Sequence, residues 1–329
     1  MARKIFGRIS NQSGAGVGGL RVQAWDDDWP DDNDFMGEAI TDPNGDYSIS
    51  YDDGHWDPAP HSITTWRPDI FIAVQAPTAT GAWAHLEKSS VHKNHKLRDD
   101  LRIDLHVRIV PPEEGKTPFN PKTHGFHFGN HFTVTPSLLG MKLGTWNMGF
   151  CGGMCADALD RYGKGVPIPP DTTPPVQGTA LFTELLEFQK GSLSAAVVSK
   201  IYDWQSAPDE GHTIRKHSVG WRTKQEWPQL KRELDAARPT QLVLIRVEGY
   251  LSNLSDNHQV VAIGYVWNPT SKDLTINVYD PNKPDTIGTL TMNFGLPDSK
   301  IRARDSSGQR LRVTGRSASS GRIRGATAR

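Results

Sequence analysis

The sequence predicts a multidomain chain: an all-β sandwich followed by an α+β domain. Three observations predict it. Short alternating runs separated by turn chemistry fill residues 1–110. A proline-rich polar stretch, Val110-Pro111-Pro112-Glu113-Glu114-Gly115-Lys116-Thr117-Pro118, then breaks the pattern, so residues 111–123 read as a linker. Beyond it, over residues 124–315, helical periodicity comes first and strand periodicity second. A length of 329 residues is enough for two separate cores.

In the first domain, strand patterns run over Lys4–Ile9, Leu20–Trp25, Asp46–Tyr51, Asp69–Gln75 and Leu101–Ile109. Asp42-Pro43-Asn44-Gly45-Asp46 is a hairpin signal. Gly14-Ala15-Gly16-Val17-Gly18-Gly19 matches a dinucleotide-binding spacing, but that fingerprint needs a helix after it. Leu20 to Trp25 alternates like a strand instead, so the glycines read as a turn. Asp26, Asp27, Asp28, Asp31, Asp32 and Asp34 read as a solvated acidic loop, because their spacing is not that of a calcium loop and Pro30 interrupts them.

Composition narrows the function classes. The formal net charge is zero, which argues against a nucleic-acid partner. No apolar run approaches the roughly 20 residues of a membrane span. The two cysteines lie four apart and build no disulfide framework, so reduced thiols suit the cytoplasm. The first residues show no signal-peptide apolar region, and export by a route without a cleavable signal peptide is the other expectation. His124, His127 and His131 do not share one helical face, and read as packing and surface histidines rather than a metal site.

The second domain opens on Gly149-Phe150-Cys151-Gly152-Gly153-Met154-Cys155-Ala156-Asp157-Ala158, a glycine-flanked helix start. Met154, Ala158 and Tyr162 recur at helical spacing, with Cys155 on the same apolar face. Cys151 lies just ahead, where unpaired N–H groups and the helix dipole favour thiolate, the reactive form. Cys151 is therefore the candidate nucleophile and Cys155 a core residue. Ala180–Gln189, Ser194–Trp204 and Gln225–Ala237 read as helices. Gln241–Val247, His258–Trp267, Leu274–Asp280 and Ile287–Phe294 read as strands. If the turn after Trp267 centres near Pro269, antiparallel pairing sets His258 opposite Asp280; one residue later, opposite Asn282. Either side chain would orient the imidazole, as nucleophilic catalysis requires. Arg310 to Val313 can still pair as a strand, and residues 316–329 read as a flexible basic tail.

Two resemblances follow from these residues. Gly7-Arg8-Ile9, then Gly19-Leu20-Arg21-Val22-Gln23-Ala24-Trp25-Asp26, then Ala39-Ile40-Thr41-Asp42-Pro43-Asn44-Gly45-Asp46-Tyr47 resemble the transthyretin-like and carboxypeptidase-regulatory-like sandwich domains. That resemblance implies a binding role, with a protein partner engaged through this domain. Cys151-Gly152-Gly153-Met154-Cys155, His258-Gln259-Val260-Val261 and Asp280-Pro281 resemble the papain-like cysteine peptidases, in particular the bacteriocin-processing peptidase domains of peptide exporters. The chain is also similar to bacterial proteins of unassigned activity that share the Cys-Gly-Gly-Met helix start and the Asn-His-Gln-Val strand.

The second resemblance implies a thiol hydrolase acting on a peptide or protein through a thioester, with Cys151, His258 and Asp280 as triad, Asn282 in reserve, and no metal or organic cofactor. The family's oxyanion-donating glutamine, six before the nucleophile, is here Thr145; Asn147 is the nearest side-chain amide and takes that expected role. The alternatives are an acyltransferase or deamidase using the same residues, a secreted effector among them, and an inactive binding or delivery protein.

Overall fold

The computed structural model describes residues 3–27, 32–52, 67–78, 81–95, 99–135, 137–138, 141–142, 146–208, 217–246 and 256–314, with backbone only at 137–138, 141–142, 146–147, 310 and 312–314. The chain is mixed α+β and divides into two units. One is Met1–Glu113 with Asn268–Asp273, the other Glu114–Trp267 with Leu274–Arg329.

The first unit carries β1 (Arg3–Ser10), β2 (Arg21–Asp26), β3 (Asp34–Ile40), β4 (Asp46–Tyr51), β5 (Ile70–Pro77), β6 (Trp83–Lys88), β7 (Leu101–Arg102) and β8 (Leu105–His106). One sheet pairs β4 antiparallel and β7 and β8 parallel to β1; the other runs β3-β2-β5-β6. Period-two alternation drives one face of each strand inward. Ile5, Ile9, Val22, Ala24, Tyr47, Ile49, Ile72 and Val74 accordingly share one core.

Several expectations for this unit change. β3 and β6 are edge strands whose charged residues hide their alternation. The acidic segment is not wholly a loop: Asp26 ends β2, is buried, and accepts the Asp69 N–H at 2.6 Å, while Asp34 opens β3. Asp28 and Asp31 lie outside the described residues. The expected strand Leu101–Ile109 splits into β7 and β8. Between them the Ile103 carbonyl approaches so closely that a Cβ on Gly7 would lie 2.0 Å from it. Gly14 and Gly19 take positive φ in a turn, and β2 rather than a helix follows.

The second unit contains β9 (Glu113–Lys116), α1 (Pro121–His124), β10 (Phe132–Val134), β11 (Ser137–Leu138), β12 (Met141–Lys142), β13 (Trp146–Met148), α2 (Cys151–Lys164), α3 (Ala180–Ser192), α4 (Ala195–Gln205) and α5 (Val219–Asp235). Then come β14 (Thr240–Ile245), β15 (His258–Asn268), β16 (Asp273–Tyr279), β17 (Ile287–Asn293), β18 (Ala303–Asp305) and β19 (Arg310–Thr314). The sheet order is β14-β19-β18-β17-β16-β15-β9, and β14 also pairs with β15. Those pairings close six strands into a ring, with β9 appended to β15.

The ring's core joins Leu242, Leu244, Val260, Ile276, Leu290 and Met292 to Trp227, Leu230 and Leu234 of α5. The alternate residues Val261, Ile263 and Tyr279 pack against Met154, Cys155, Ala158 and Leu185 of α2 and α3. α4 packs through Val197, Ile201 and Trp204 with Val243 and Ile245. β14 and the first half of β15 are thus buried on both faces, which is why residues 242–245 and 260–263 are unbroken apolar runs.

The stretch 111–123, expected as a linker, instead supplies β9 and α1. Its prolines and charges mask a strand that Gly115 makes possible: a Cβ there would lie 2.2 Å from the Tyr265 ring. α5 begins earlier than its apolar face suggests, because the Ser218 hydroxyl accepts the Trp221 N–H and starts the helix. Among the described residues no helix is long and apolar enough to cross a membrane.

Candidate active site

Three elements converge on one place: the first turn of α2 brings Cys151, the start of β15 brings His258, and the end of β16 leads into Asp280. All three side chains are largely withdrawn from solvent. His258 Nε2 lies 2.6 Å from Asp280 Oδ1, and the imidazole is near enough to the Cys151 thiol for the two to shift each other's pKa. With Nε2 held by the carboxylate, Nδ1 is the ring nitrogen left to exchange a proton with sulfur. Asn282 stands in reserve beside the pair. Its backbone N–H donates to Asp280 Oδ1 at 2.9 Å, and its Nδ2 lies 3.4 Å from His258 Nε2.

The electrostatics favour separated charge. Burial alone would push the Cys151 thiol up, but the His258 hydrogen bond and charge outweigh it. The backbone N–H groups of Gln259 and Gly152 add to that effect, and the thiol ends below its ordinary value. Burial would push the imidazole down, yet its hydrogen bonds to Asp280 and Cys151 raise it well above the usual histidine range. Burial of Asp280 is likewise overcome by the His258 hydrogen bond and charge, the Asn282 N–H and the Arg246 guanidinium, so the carboxyl is held low. Thiolate, imidazolium and carboxylate therefore stabilise one another in a line. Cys155 behaves oppositely: it is fully buried, its thiol donates to the Gln259 carbonyl at 3.4 Å, and burial pushes it far up.

The helix start is built without a local cap. Phe150 occupies the N-cap position and offers no side-chain acceptor. Gln189 of α3 substitutes, accepting the Gly153 N–H at 2.7 Å. Gln241 Nε2 donates to the Gly152 carbonyl at 3.2 Å and to Gln259 Oε1 at 2.6 Å, tying β14 and β15 to the same turn. This amide network explains the paired glycines after Cys151. A Cβ on Gly152 would lie 2.2 Å from Ser192 Oγ, and one on Gly153 would lie 2.4 Å from the Leu185 carbonyl oxygen. The second contact is with backbone and cannot swing away. Gly153→Ala is expected to lower stability by about 1–3 kcal/mol, read by urea unfolding. An unchanged midpoint would mean that α2 and α3 are not held this closely.

Sequence reasoning gave no role to Gln189, Gln241, Gln259 or Asn130, all engaged around α2. Gln259 was legible as the neighbour of His258; the others carry no local signal. The Asn147 side chain, expected as an oxyanion donor, lies outside the described residues, as does Thr145; the Asn147 backbone pairs with Thr133 in β13. The three histidines do not converge. His127 Nδ1 lies 2.6 Å from Asp285, His124 packs on Phe119 and Tyr162, and His131 is exposed. Among the described residues no cluster of three metal-ligating side chains occurs.

No family model matches the chain, and no curated protein does. Among solved structures, a 9R-lipoxygenase from Cyanothece PCC8801 superposes with a TM-score of 0.26 at 13% identity, covering 87% of this chain and 41% of its own. The chain thus spans less than half the length of that enzyme. An alternative pilotin from the type II secretion system of Vibrio cholerae superposes with a TM-score of 0.24 at 11% identity, covering 34% of this chain and 99% of its own. At these TM-scores neither likeness bears on fold or chemistry.

Proposed function

We propose that the chain is a thiol hydrolase that cleaves a peptide or amide bond in a peptide or protein substrate. The observation that carries the proposal is the convergence of Cys151, His258 and Asp280, with His258 Nε2 on Asp280 Oδ1 at 2.6 Å, the thiol lowered and the imidazole raised. In this reading the Cys151 thiolate attacks the carbonyl carbon. The C–N bond breaks as His258 hands its proton to the leaving amine, and a thioester forms. His258 then takes a proton from water, whose oxygen attacks the thioester, and the acid leaves as the thiol is restored. Asp280 orients the imidazole and balances its charge. Transfer of the acyl group to an amine, or deamidation of a side-chain amide, uses the same steps with a different acceptor or leaving group.

The second unit is in this reading a papain-like domain. Its support is the order of parts: a thiol at a helix start, packed against a closed ring of strands whose ends carry the histidine and the acid. The first unit, two sheets around one core, is in the same reading a transthyretin-like sandwich that engages a protein partner.

The test is titration of the full chain with a peptide bearing a thiol-directed electrophile. Stoichiometric labelling of Cys151, located by mass spectrometry and lost in Cys151→Ala, is expected. Equal labelling of both proteins, or none of the native chain, would leave a binding protein rather than an enzyme.

A further inference from the structure

We infer that Asn130 is a positioning residue for the thiol–imidazole pair, locking the start of α2 to the loop that follows β16. Asn130 is buried, and nothing in its sequence neighbourhood marks it out. Its Oδ1 accepts the N–H of Phe150, the residue before Cys151. Its Nδ2 donates to Asn282 Oδ1 at 3.2 Å, and its own backbone N–H donates to the Pro281 carbonyl at 3.1 Å. Pro281 and Asn282 directly follow Asp280. One residue therefore holds both the segment that carries the sulfur and the segment that carries the carboxylate.

The chemistry selects asparagine. The bridge needs an acceptor and a donor carried on the same carbon of one short, neutral side chain. Aspartate would lose the donor, and alanine would lose both. Gly149 provides the seat: a Cβ there would lie 2.7 Å from Asn130 Nδ2. The bridge also sets the amide of Asn282, whose oxygen faces Asn130 while its nitrogen faces His258. Asn130 touches neither sulfur nor imidazole in these bonds; it acts through Phe150 and Asn282.

The inference rests on the thiol-hydrolase reading, and the test separates the two. The rate of Cys151 alkylation by iodoacetamide is measured on the full chain from pH 5 to pH 10. Wild type is expected to react at low pH, through the ion pair. Asn130→Ala is expected to be slowed about tenfold at pH 6, with its inflection moved to higher pH and its rate at pH 10 unchanged. A loss of stability alone would not move the inflection. Asn282→Ala keeps the Phe150 bond and is expected to move the inflection the same way. The two changes together should cost less than their sum, as partners in one bridge do.

An Asn130→Ala profile that superposes on wild type overturns the inference and leaves the thiol reading intact. A wild type without a low-pH limb overturns the reading, and the inference with it. If Asn130→Ala does not fold, Asn282→Ala decides alone, and an unmoved inflection overturns the inference.

Discussion

Alanine at position 258 is expected to slow alkylation of Cys151 by about two orders of magnitude at pH 6 and, once the thiol is ionised near pH 10, to leave it no slower than wild type. The reasoning starts from burial. Cys151 is withdrawn from water, and burial by itself raises its thiol above the ordinary value of 9.0. The His258 hydrogen bond and charge reverse that, with smaller help from two backbone N–H groups. Remove the ring and the thiolate fraction at pH 6 falls to about 10⁻³ or below, since burial then holds the thiol at least three pH units above the solution. A more basic thiolate is also the better nucleophile, which returns about a factor of ten.

The pH window identifies the partner. A thiolate–imidazolium pair exists above the lowered thiol pKa and below the raised imidazole pKa, so wild type reacts across a broad neutral plateau. The alanine variant should show one inflection, above pH 9. Asp280→Asn keeps a side chain beside Nε2 but removes the charge that helps raise the imidazole, so a smaller fall is expected. Matching rates for wild type and His258→Ala at pH 6 would show that the thiol owes its state to something other than this ring.

The sequence carried the parts of this site better than their mountings. Cys151 was legible because a glycine pair and an apolar stripe bracket it. His258 and Asp280 were legible because they open and close successive strands of one hairpin, and pairing arithmetic brings such ends together. That arithmetic left Asp280 and Asn282 as equals; the structure separates them, with Asp280 on the ring nitrogen at 2.6 Å and Asn282 beside it at 3.4 Å. The second unit's main strands were legible from their apolar runs. Edge strands were not: β3, β6 and β9 carry charges or glycine where an interior strand carries valine and isoleucine. The amide network was not legible either. Gln189, Gln241 and Asn130 reach α2 from other elements, and no local spacing encodes a contact made across the fold.

One buried group off this line contributes to how stability responds to pH. Asp157, on α2, is fully buried. Its Oδ1 accepts from Arg161 Nε at 2.9 Å, while its buried Oδ2 has no hydrogen-bond partner among the described residues. Burial is the largest influence and pushes the carboxyl up, against the attraction of Arg161. Glu184 and Asp160 add repulsion, and the pKa rises from 3.8 to about 6. Arg161 is itself shared, giving Nη2 to Glu184 at 2.9 Å.

A carboxyl raised in the folded state binds its proton more tightly there than in the unfolded chain. Its contribution is therefore fully present below pH 3.8 and is lost as pH rises through about 6. Applying that shift between pH 4.5 and pH 7.5 gives a loss of about 2 kcal/mol from this one group. Asp157→Asn keeps the shape and the acceptor for Arg161 but has no proton to lose. Urea unfolding at the two pH values is expected to show the variant gaining about 2 kcal/mol on wild type between the lower and the higher. The comparison cancels the acidic groups that move the other way, Asp280 and Asp305 among them, because both proteins carry them. A constant difference at both pH values would mean that Asp157 is ionised throughout, held by Arg161 more firmly than burial opposes it.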